Sequence, residues 1–200
     1  MSDFILDQSQ KFRCPWCLGF EKYIQYHDEE WGVPVYSDKK HFEFLVLESA
    51  QAGLSWSTIL NKREGYAEAF ADYDYHKVAS YTDKDMEELL LNYNIVRNRK
   101  KIEAAVNNAG KFIKIQETYG SFTGFLWDFV DGKPIQNAWR STAEVPANSG
   151  LSFQIATDLK RRGFKFLGST IIYSHLQATG LINDHLVQCF RHQEVKRMAK

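Results

Sequence analysis

Cysteine and histidine residues near both ends of the chain could together bind a metal. The N-terminal residues are Cys14, Cys17 and His27, and the C-terminal residues are His185, Cys189 and His192. A closed structural zinc site requires four ligands, usually Cys and His. A Cys-His pair from each end would make a Cys₂His₂ site that ties the termini together, and the spacing of His185 and Cys189 would place both on one face of a helix.

The stretch Cys14-Pro15-Trp16-Cys17 could indicate redox chemistry, metal binding or unconnected residues. In a thioredoxin-like protein, the first cysteine of such a pair lies between a strand and a helix whose terminus lowers the pKa of the thiol. A polar stretch precedes Cys14 and no βαβ pattern follows it, which disfavours redox chemistry. Three cysteines cannot all pair within one chain, which argues against a disulfide framework. Metal binding and unconnected residues remain as interpretations.

A carboxylate lies within an apolar helical pattern. The neighbours of Glu48 are almost all apolar: Phe44, Leu45, Val46, Leu47, Ala50 and Ala52. An unpaired buried charge is too costly to be retained. Glu48 therefore either pairs with a nearby Arg or Lys as a structural contact, or lines a cavity.

A local basic cluster occurs in "NIVRNRKKIE", residues 94 to 103. Lys and Arg number 25, as do Asp and Glu, so no overall field attracts the chain to nucleic acid or to an anionic membrane. A hairpin between two helices can direct backbone N–H groups at a phosphate, which needs little net charge. The alternative is a solvated helix start, and the same alternative applies to the second basic cluster, residues 160 to 166.

The elements that position these residues read as helices. Apolar residues recur at helical spacing in residues 38–53, 82–93, 99–120, 151–163 and 168–180. Thr82 and Asp85 form a variant of the capping box, and Gly53 and Gly120 end two of the helices. Residues 131–150 are irregular. We expect a single all-α domain over residues 1–200, with peripheral tails at 1–12 and 191–200.

No segment predicts insertion into a membrane or export. The chain has no run of 18 apolar residues, and its first ten residues lack a basic start followed by a long apolar stretch. We expect a cytoplasmic protein without a membrane partner. Nothing in the sequence indicates an extended interface, so we expect a monomer.

Several motifs occur in an order that resembles the bacterial 3-methyladenine DNA glycosylase I family: "RCPW", "YIQYHDEEWGVP", "LESAQAGLSWSTILNKRE", "NIVRNRKKI", "KRRGFKFLGSTIIYSHLQATGLINDH" and "HLVQC". The resemblance covers residues 13 to 190. It implies the all-α helix-hairpin-helix DNA glycosylase fold, with structural zinc joining the N- and C-terminal segments. The implied ligands are Cys14, His27, His185 and Cys189, with Cys17 as a spare thiol that could compete for the metal.

The resemblance also implies a DNA repair hydrolase that acts on double-stranded DNA containing alkylated bases. Such an enzyme flips out 3-methyladenine and hydrolyses its N-glycosidic bond. The base is cationic, so a carboxylate and electron-rich aromatic faces are complementary to it. Glu48 matches the base-recognising residue of the family and is the catalytic candidate. Tyr26, Trp16 and Trp56 match aromatic residues of the pocket, and Trp31 is a further candidate.

The predicted reaction leaves an abasic site without cutting the strand. No lysine has a clear case for forming a Schiff base, and "KKIEAAVNNAGKF" lacks the Asp that supports the sugar cation in many relatives of the superfamily. Glu48 is expected to recognise the base and to assist its departure, not to act as a nucleophile. No redox or nucleotide cofactor is expected.

The candidate DNA contacts are Leu54, Asn94, Arg97, Arg99 and Lys101. Leu54 could wedge into the gap left by a flipped base. Asn94 and Lys100 stand where the family tends to have glycine, and Asn tolerates the left-handed conformation that such a turn needs. The alternative function is a zinc-stabilised helix-hairpin-helix module that binds DNA without catalysing a reaction.

Overall fold

The computed structural model describes residues 11–198. Residues 1–10 of the expected N-terminal tail, and residues 199 and 200, lie outside the described residues. The described helices are α1 (Glu21–Glu29), α2 (Asp38–Gln51), α3 (Trp56–Asn61), α4 (Arg63–Ala69), α5 (Tyr75–Ala79), α6 (Asp83–Leu91), α7 (Arg99–Tyr119), α8 (Phe122–Trp127), α9 (Gly150–Arg161), α10 (Ser169–Ala178) and α11 (Phe190–Met198). The predicted all-α class is confirmed.

Helix α2 runs through the core and is buried along most of its length. Its first turn is capped by Ser37, whose side chain accepts a hydrogen bond from the backbone N–H of Lys40. Asp38 accepts hydrogen bonds from the backbone N–H groups of Phe122 (3.0 Å) and Thr123 (2.8 Å), which fastens the start of α8 to the start of α2. Because neighbouring helices cover α2, the middle of this helix lies in apolar surroundings.

Helices α6 and α7 are joined by a hairpin at residues 92–98. The predicted capping box at the start of α6 is confirmed, with Thr82 and Asp85 bonded to each other's backbone N–H groups. In the hairpin, the side chain of Asn92 accepts a hydrogen bond from the N–H of Asn94 at 2.8 Å. Asn94 does not adopt the left-handed conformation expected for it. The hydrogen bond from its N–H to the Asn92 side chain stabilises the turn without a residue in that conformation.

Residues 131–150 are mostly irregular, as predicted, but are fastened to the rest of the fold. Strand β1 (Ile135–Gln136) pairs in parallel with β2 (Ile182–Asn183), which follows α10. The segment also includes a short 3-10 helix, Thr142–Glu144.

The C-terminal residues expected as a peripheral tail include α11, in which Val195 is only 1% exposed. These residues pack because α11 presents an apolar side chain to the fold. No helix among the described residues has the length and hydropathy needed to cross a bilayer.

Candidate active site and metal centre

A cavity of about 210 Å³ lies between α1, α2, the start of α3, α10 and the irregular segment. Its lining is largely aromatic and apolar, with a few polar groups: Trp16, Tyr23, Tyr26, Trp31, Glu48, Gln51, Trp56, Thr142, Val145, Ser174, Gln177, Ala178, Asp184 and Leu186. An apolar cavity with a small number of convergent polar groups is typical of a small-molecule site. All five residues predicted to be catalytic or substrate-binding lie in this lining.

The four predicted aromatic residues form two contacting pairs on the cavity wall. The rings of Trp16 and Trp31 meet edge to face, with centroids 4.8 Å apart. The rings of Tyr26 and Trp56 lie 5.5 Å apart. Trp56 opens helix α3, where the Ser55 side chain accepts a hydrogen bond from the N–H of Thr58 and fixes the first turn. The faces of these rings are therefore held by packing.

Several lining residues were not among the sequence candidates. Tyr23 lies one helical turn before Tyr26, and this three-residue spacing on α1 is a signal that could have found it. Thr142 and Val145 belong to the irregular segment, and Asp184 follows β2. These last three residues reach the cavity through tertiary packing, for which the local sequence gives no signal.

Glu48 is buried at the cavity, and one of its two carboxyl oxygens lacks a hydrogen-bond partner among the described residues. Its side chain is 3% exposed, and burial raises the pKa of the carboxyl group well above its ordinary value. Oε2 lies 2.8 Å from Nδ1 of His175 on α10. Oε1 has no hydrogen-bond partner among the described residues. The partner is a histidine, and not the Arg or Lys that a structural contact would have used.

A second buried histidine lies behind the first. Nε2 of His175 is 3.1 Å from Nδ1 of His41, and Nε2 of His41 is 3.2 Å from the carbonyl oxygen of Val35. Burial lowers the pKa of His175 to about 3. The pKa of His41 is also lowered to about 3, by burial and by the neighbouring His175. Both imidazoles are therefore neutral when the cavity is empty of charge.

The metal candidates Cys14, His27, His185 and Cys189 converge on one buried point. Their ligand atoms all lie within 4.8 Å of one another. Sγ of Cys189 is 3.4 Å from Nε2 of His27 and 3.6 Å from Nδ1 of His185, and Sγ of Cys14 is 3.8 Å from the same Nδ1. Tetrahedral zinc would separate sulfur and nitrogen ligands by roughly 3.5 Å. The donor set and its geometry therefore fit a metal ion.

Outer contacts orient both histidines for this purpose. Nδ1 of His27 donates to Asp28 at 2.8 Å, and Arg13 in turn donates to the Asp28 carboxylate. Nε2 of His185 donates to the carbonyl oxygen of Trp31 at 2.9 Å. Each histidine thus leaves its other nitrogen unprotonated toward the cluster, which is the arrangement that metal-binding histidines require.

The remaining cysteine and histidine candidates lie outside this cluster. The thiol of Cys17 donates to the carbonyl oxygen of Cys14, and Nε2 of His192 donates to the carbonyl oxygen of Asn137. His185 and Cys189 do not share a helix, as their spacing suggested, but lie on the turn between β2 and α11. The contact with Cys189 and burial hold the pKa of Cys14 well above its ordinary value.

The predicted DNA contacts fall into two groups. In the hairpin, Asn94 and Arg97 are exposed, and the guanidinium of Arg97 lies 4.3 Å from the centroid of the Tyr93 ring. Arg99 pairs with Glu87 at 2.5 Å. Lys101 points away from the hairpin surface.

The ammonium group of Lys101 donates to the carbonyl oxygens of Ala50 (2.8 Å) and Ala52 (2.6 Å). It therefore caps the C-terminal end of α2, the helix that carries Glu48. Leu54 follows in the turn between α2 and α3, is 41% exposed, and lies two residues before Trp56. The contact of Lys101 with the end of α2 therefore connects the start of α7 to the cavity.

Comparison with known proteins identifies relatives across nearly the whole chain. The family model described as methyladenine glycosylase matches residues 16–192. DNA-3-methyladenine glycosylase 1 of Escherichia coli (strain K12) is 44% identical over 177 residues, which cover 88% of this chain and 95% of that protein. DNA-3-methyladenine glycosylase of Haemophilus influenzae is 42% identical over 177 residues, covering 88% and 96%.

Solved structures agree with this assignment. The structure of 3-methyladenine DNA glycosylase I from Staphylococcus aureus, solved to explain recognition of 3-methyladenine, has a TM-score of 0.87 at 44% identity and covers 89% of this chain and 95% of that one. A variant of 3-methyladenine DNA glycosylase I in complex with 3-methyladenine has a TM-score of 0.87 at 43% identity, covering 89% and 96%. The match to the family model and these identities show that the chain belongs to the methyladenine glycosylase family.

Proposed function

We propose that this protein is a base-excision repair glycosylase that hydrolyses the N-glycosidic bond of 3-methyladenine in duplex DNA. The observation that carries the proposal is the Glu48 carboxyl group, buried at an aromatic cavity, whose Oε1 has no hydrogen-bond partner in the part of the chain that the structure describes. A DNA-binding module without activity has no use for such a group. The names of the relatives support the same substrate.

The chemistry of the substrate matches the cavity. A 3-methylated adenine in DNA is cationic, and the aromatic faces of Tyr26, Trp56 and Trp16 attract cations. An oxygen of Glu48 can accept a hydrogen bond from the edge of the flipped base. As the glycosidic bond breaks, its electron pair neutralises the base and the positive charge moves to the sugar. Catalysis by differential binding therefore requires contacts that hold the departing neutral base and a carboxylate that also attracts the developing sugar cation.

We propose that the reaction is monofunctional. Cleavage of the strand would require an amine close to the sugar, and no lysine is among the described residues that line the cavity. Water therefore completes the reaction and leaves an abasic site. The carboxyl group of Asp184, which also lines the cavity, accepts four hydrogen bonds from other residues of the protein and therefore has a structural role.

Zinc is the metal that we propose for the cluster of Cys14, His27, His185 and Cys189. Two sulfur and two nitrogen donors in a closed, buried arrangement suit Zn²⁺, and no position is left open for water or substrate. When bound, the metal would supply structure and no step of the reaction. Its role would be to join residues near the two ends of the chain.

The hairpin is the proposed site of backbone contact with DNA. Exposed Asn94 and Arg97 would face the phosphates, and Arg99 would exchange Glu87 for a phosphate. We propose that Leu54, exposed in the turn between α2 and α3, enters the duplex as an apolar wedge. Lys101 would act differently, because its contacts with Ala50 and Ala52 make it a support for α2.

The test is chromatography of the free bases released from methylated duplex DNA that contains 3-methyladenine and 7-methylguanine. We expect release of 3-methyladenine with little 7-methylguanine. Replacing Glu48→Gln should reduce the rate by about 100-fold, because a neutral amide cannot attract the positive charge that passes from the base to the sugar as the bond breaks. The control is Glu117→Gln, at an exposed position on α7, which should retain the rate.

Two outcomes would contradict the proposal. Binding of the methylated duplex without release of any base, by a folded and metal-loaded protein, would favour the DNA-binding module. Strand cleavage at the abasic site in step with base release would contradict the monofunctional reaction. Denaturing electrophoresis of the product strands, before and after alkali, distinguishes base release alone from strand cleavage.

A further inference from the structure

The hydrogen bonds behind Glu48 fix the direction of each proton along a chain of buried groups. We name Glu48, His175, His41 and the Val35 carbonyl the Glu48 network. A carbonyl oxygen only accepts, so Nε2 of His41 carries a hydrogen and donates to Val35. Nδ1 of the neutral His41 ring is then an acceptor, and Nε2 of His175 must donate to it.

The position of one proton, between His175 and Glu48, is not fixed by these hydrogen bonds. Nδ1 of His175 and Oε2 of Glu48 are 2.8 Å apart and share a single hydrogen. If it lies on Oε2, both groups are neutral; if it lies on Nδ1, the pair is a carboxylate and an imidazolium. Both forms contain the same number of protons, and they differ in which atom carries the shared proton and therefore in whether the pair is neutral or charge-separated.

From this geometry, and resting on the proposed function, we propose that His175 accepts the Glu48 proton when a cationic base enters the cavity. The bond between Oε2 and hydrogen breaks, and a bond between Nδ1 and hydrogen forms. Glu48 becomes an anion whose Oε1 faces the base, and no proton passes to solvent. His175 is thus a positioning residue for the charge of Glu48.

Both end states are compatible with the surroundings of the pair. With the cavity empty, burial disfavours charge on either group, and the raised pKa of Glu48 and lowered pKa of His175 agree with the neutral form. A cation beside Glu48 favours the anion. The imidazolium that results keeps both of its donors satisfied, one by the carboxylate and one by Nδ1 of His41.

The other ionisable groups around the Glu48 network do not compete for its proton. Tyr23 and Tyr26 face it from α1, and burial raises the pKa of both, so they remain neutral. Asp184, on the cavity wall, accepts four hydrogen bonds from neutral groups. Burial alone would raise the pKa of Asp38, near His41, but hydrogen bonds from α8 hold it below its ordinary value. Lys101 is engaged with backbone carbonyls at the end of α2.

A pair of histidine variants separates proton transfer from packing. In His175→Asn, the amide can still bond Glu48 but cannot take its proton. In His41→Asn, a buried imidazole is lost in the same way, yet His175 still faces Glu48 and can find an acceptor in the new amide oxygen. An exposed histidine on α5, His76→Asn, controls for histidine content.

The first measurement is the pH dependence of 3-methyladenine release. The unaltered protein, His41→Asn and His76→Asn should give a flat profile between about pH 6 and pH 8, because no proton leaves the network. For His175→Asn, the Glu48 proton must pass to solvent. Its rate should therefore rise about tenfold per pH unit up to the raised pKa of Glu48. The same slope in both His175→Asn and His41→Asn, or a flat profile in His175→Asn, would overturn the proposal.

The second measurement needs no catalysis. Binding of the permanently cationic 3,9-dimethyladeninium ion is followed by calorimetry in buffers of different ionisation enthalpy, which counts the protons released. We expect none from the unaltered protein and about one per bound ion from His175→Asn. The infrared carbonyl band of the protonated Glu48 carboxyl, assigned with Glu48→Gln, should disappear on binding in the unaltered protein.

These outcomes distinguish the inference from the function on which it rests. Release of one proton by the unaltered protein on binding the cation would contradict transfer to His175, whatever the base-release assay gives. Binding of the cation without proton release but with loss of the Glu48 carbonyl band, in a protein that excises no base, would contradict the glycosylase function and support the transfer. If His175→Asn does not fold, the proton count and infrared band of the unaltered protein still decide the inference.

Discussion

At residue 48, folding and proton binding are coupled. In the unfolded chain a glutamate ionises near pH 4.3, whereas burial at the cavity raises the pKa of Glu48 well above its ordinary value. Between these two pH values the folded protein holds one proton more than the unfolded chain. Stability contributed by this group is thus fully present below the unfolded pKa and is lost as pH rises toward the folded pKa.

Glu48→Gln should therefore increase stability at neutral and alkaline pH. The amide keeps the shape of the neutral carboxyl and can donate to Nδ1 of His175, but it has no proton to take up on folding. Its advantage over the unaltered protein should be absent near pH 4 and grow by up to about 1.4 kcal/mol per pH unit above about pH 4.5. Urea unfolding at several pH values measures this difference.

The control for loss of a glutamate is Glu117→Gln, at an exposed position on α7, measured in the same way. A loss of stability in Glu48→Gln at about pH 8 would contradict the prediction. That result would mean that the Glu48 charge holds the folded protein together, as in a structural ion pair. The same variant therefore separates a functional carboxyl from a structural one.

At the scale of elements, helix α4 and the α6–α7 hairpin approach closely at Gly65. A Cβ atom added there would lie 2.5 Å from Cβ and 2.6 Å from the carbonyl oxygen of Asn94. Both distances are shorter than packed atoms allow, and one contact is with backbone. The small residue thus lets α4 support the hairpin that we propose to contact DNA.

Gly65→Ala should displace the hairpin and destabilise the protein by about 1–3 kcal/mol, as overpacking does in other cores. Gly110→Ala is the matched variant, because it lies in α7 with no atom within 4 Å of the added Cβ. It should stabilise by about 0.5–1 kcal/mol through helix propensity. Thermal unfolding measures both, and stabilisation by Gly65→Ala would show that the hairpin does not rest on α4.

A second element depends on one carboxylate. Asp184 accepts hydrogen bonds from Asn137 (2.6 Å) and Trp139 (2.7 Å) of the irregular segment, and from Tyr173 (2.6 Å) and Gln177 (2.8 Å) of α10. It therefore fastens the segment that supplies Thr142 and Val145 to the cavity. Because all four partners of this carboxylate are hydrogen-bond donors, an amide N–H₂ group at the same position would find no acceptor among them.

Asp184→Asn should cost about 2–3 kcal/mol, because the new amide faces donors that then lack an acceptor. The control, Asp131→Asn, is exposed and has a φ of 51°, which asparagine tolerates, so its stability should change by less than about 0.5 kcal/mol. Urea unfolding gives the free energies, and limited proteolysis reports release of the segment. Equal stability of the two variants would contradict this role of Asp184.

Sequence patterns predicted the helices better than their partners. The apolar spacing and capping residues of α6 and α7 are local, so their extents followed from the sequence. The prediction that Glu48 has either a partner or a cavity was also a local inference, from its apolar neighbours. His175 lies 127 residues away from it, and no local pattern connects the two.

The same limit applies to Lys101 and to the candidate metal ligands. A lysine in a run of basic residues predicts a solvated or DNA-facing side chain. The ammonium group of Lys101 instead donates hydrogen bonds to the carbonyl groups at the end of α2. Burial there lowers the pKa of Lys101. A spacing of four residues suits a helix, but His185 and Cys189 use it across a turn. Tertiary contacts decided both cases.

At the scale of the whole molecule, the four candidate metal ligands join residues near the two ends of the chain to the wall of the cavity. Cys14 and His185 are 171 residues apart, and their ligand atoms are 3.8 Å apart. The ring of Trp31 packs on His185 with centroids 4.5 Å apart, and Trp16 packs on His27 at 5.2 Å. Loss of the proposed metal should therefore lower the stability of the fold and remove support from the aromatic rings that we propose to hold the base.

Cys189→Ser should remove the metal, lower stability by at least about 3 kcal/mol and lower Tm by about 6–12 °C. The control is Cys17→Ser, whose hydroxyl can still donate to the carbonyl of Cys14, so it should retain the metal and lose less than about 1 kcal/mol. Elemental analysis and calorimetry measure these effects. Base release should fall in Cys189→Ser even at temperatures where it is folded, because Trp16 and Trp31 lose their support. Equal loss of metal in both variants would show that Cys17 is a ligand and would overturn the assigned set.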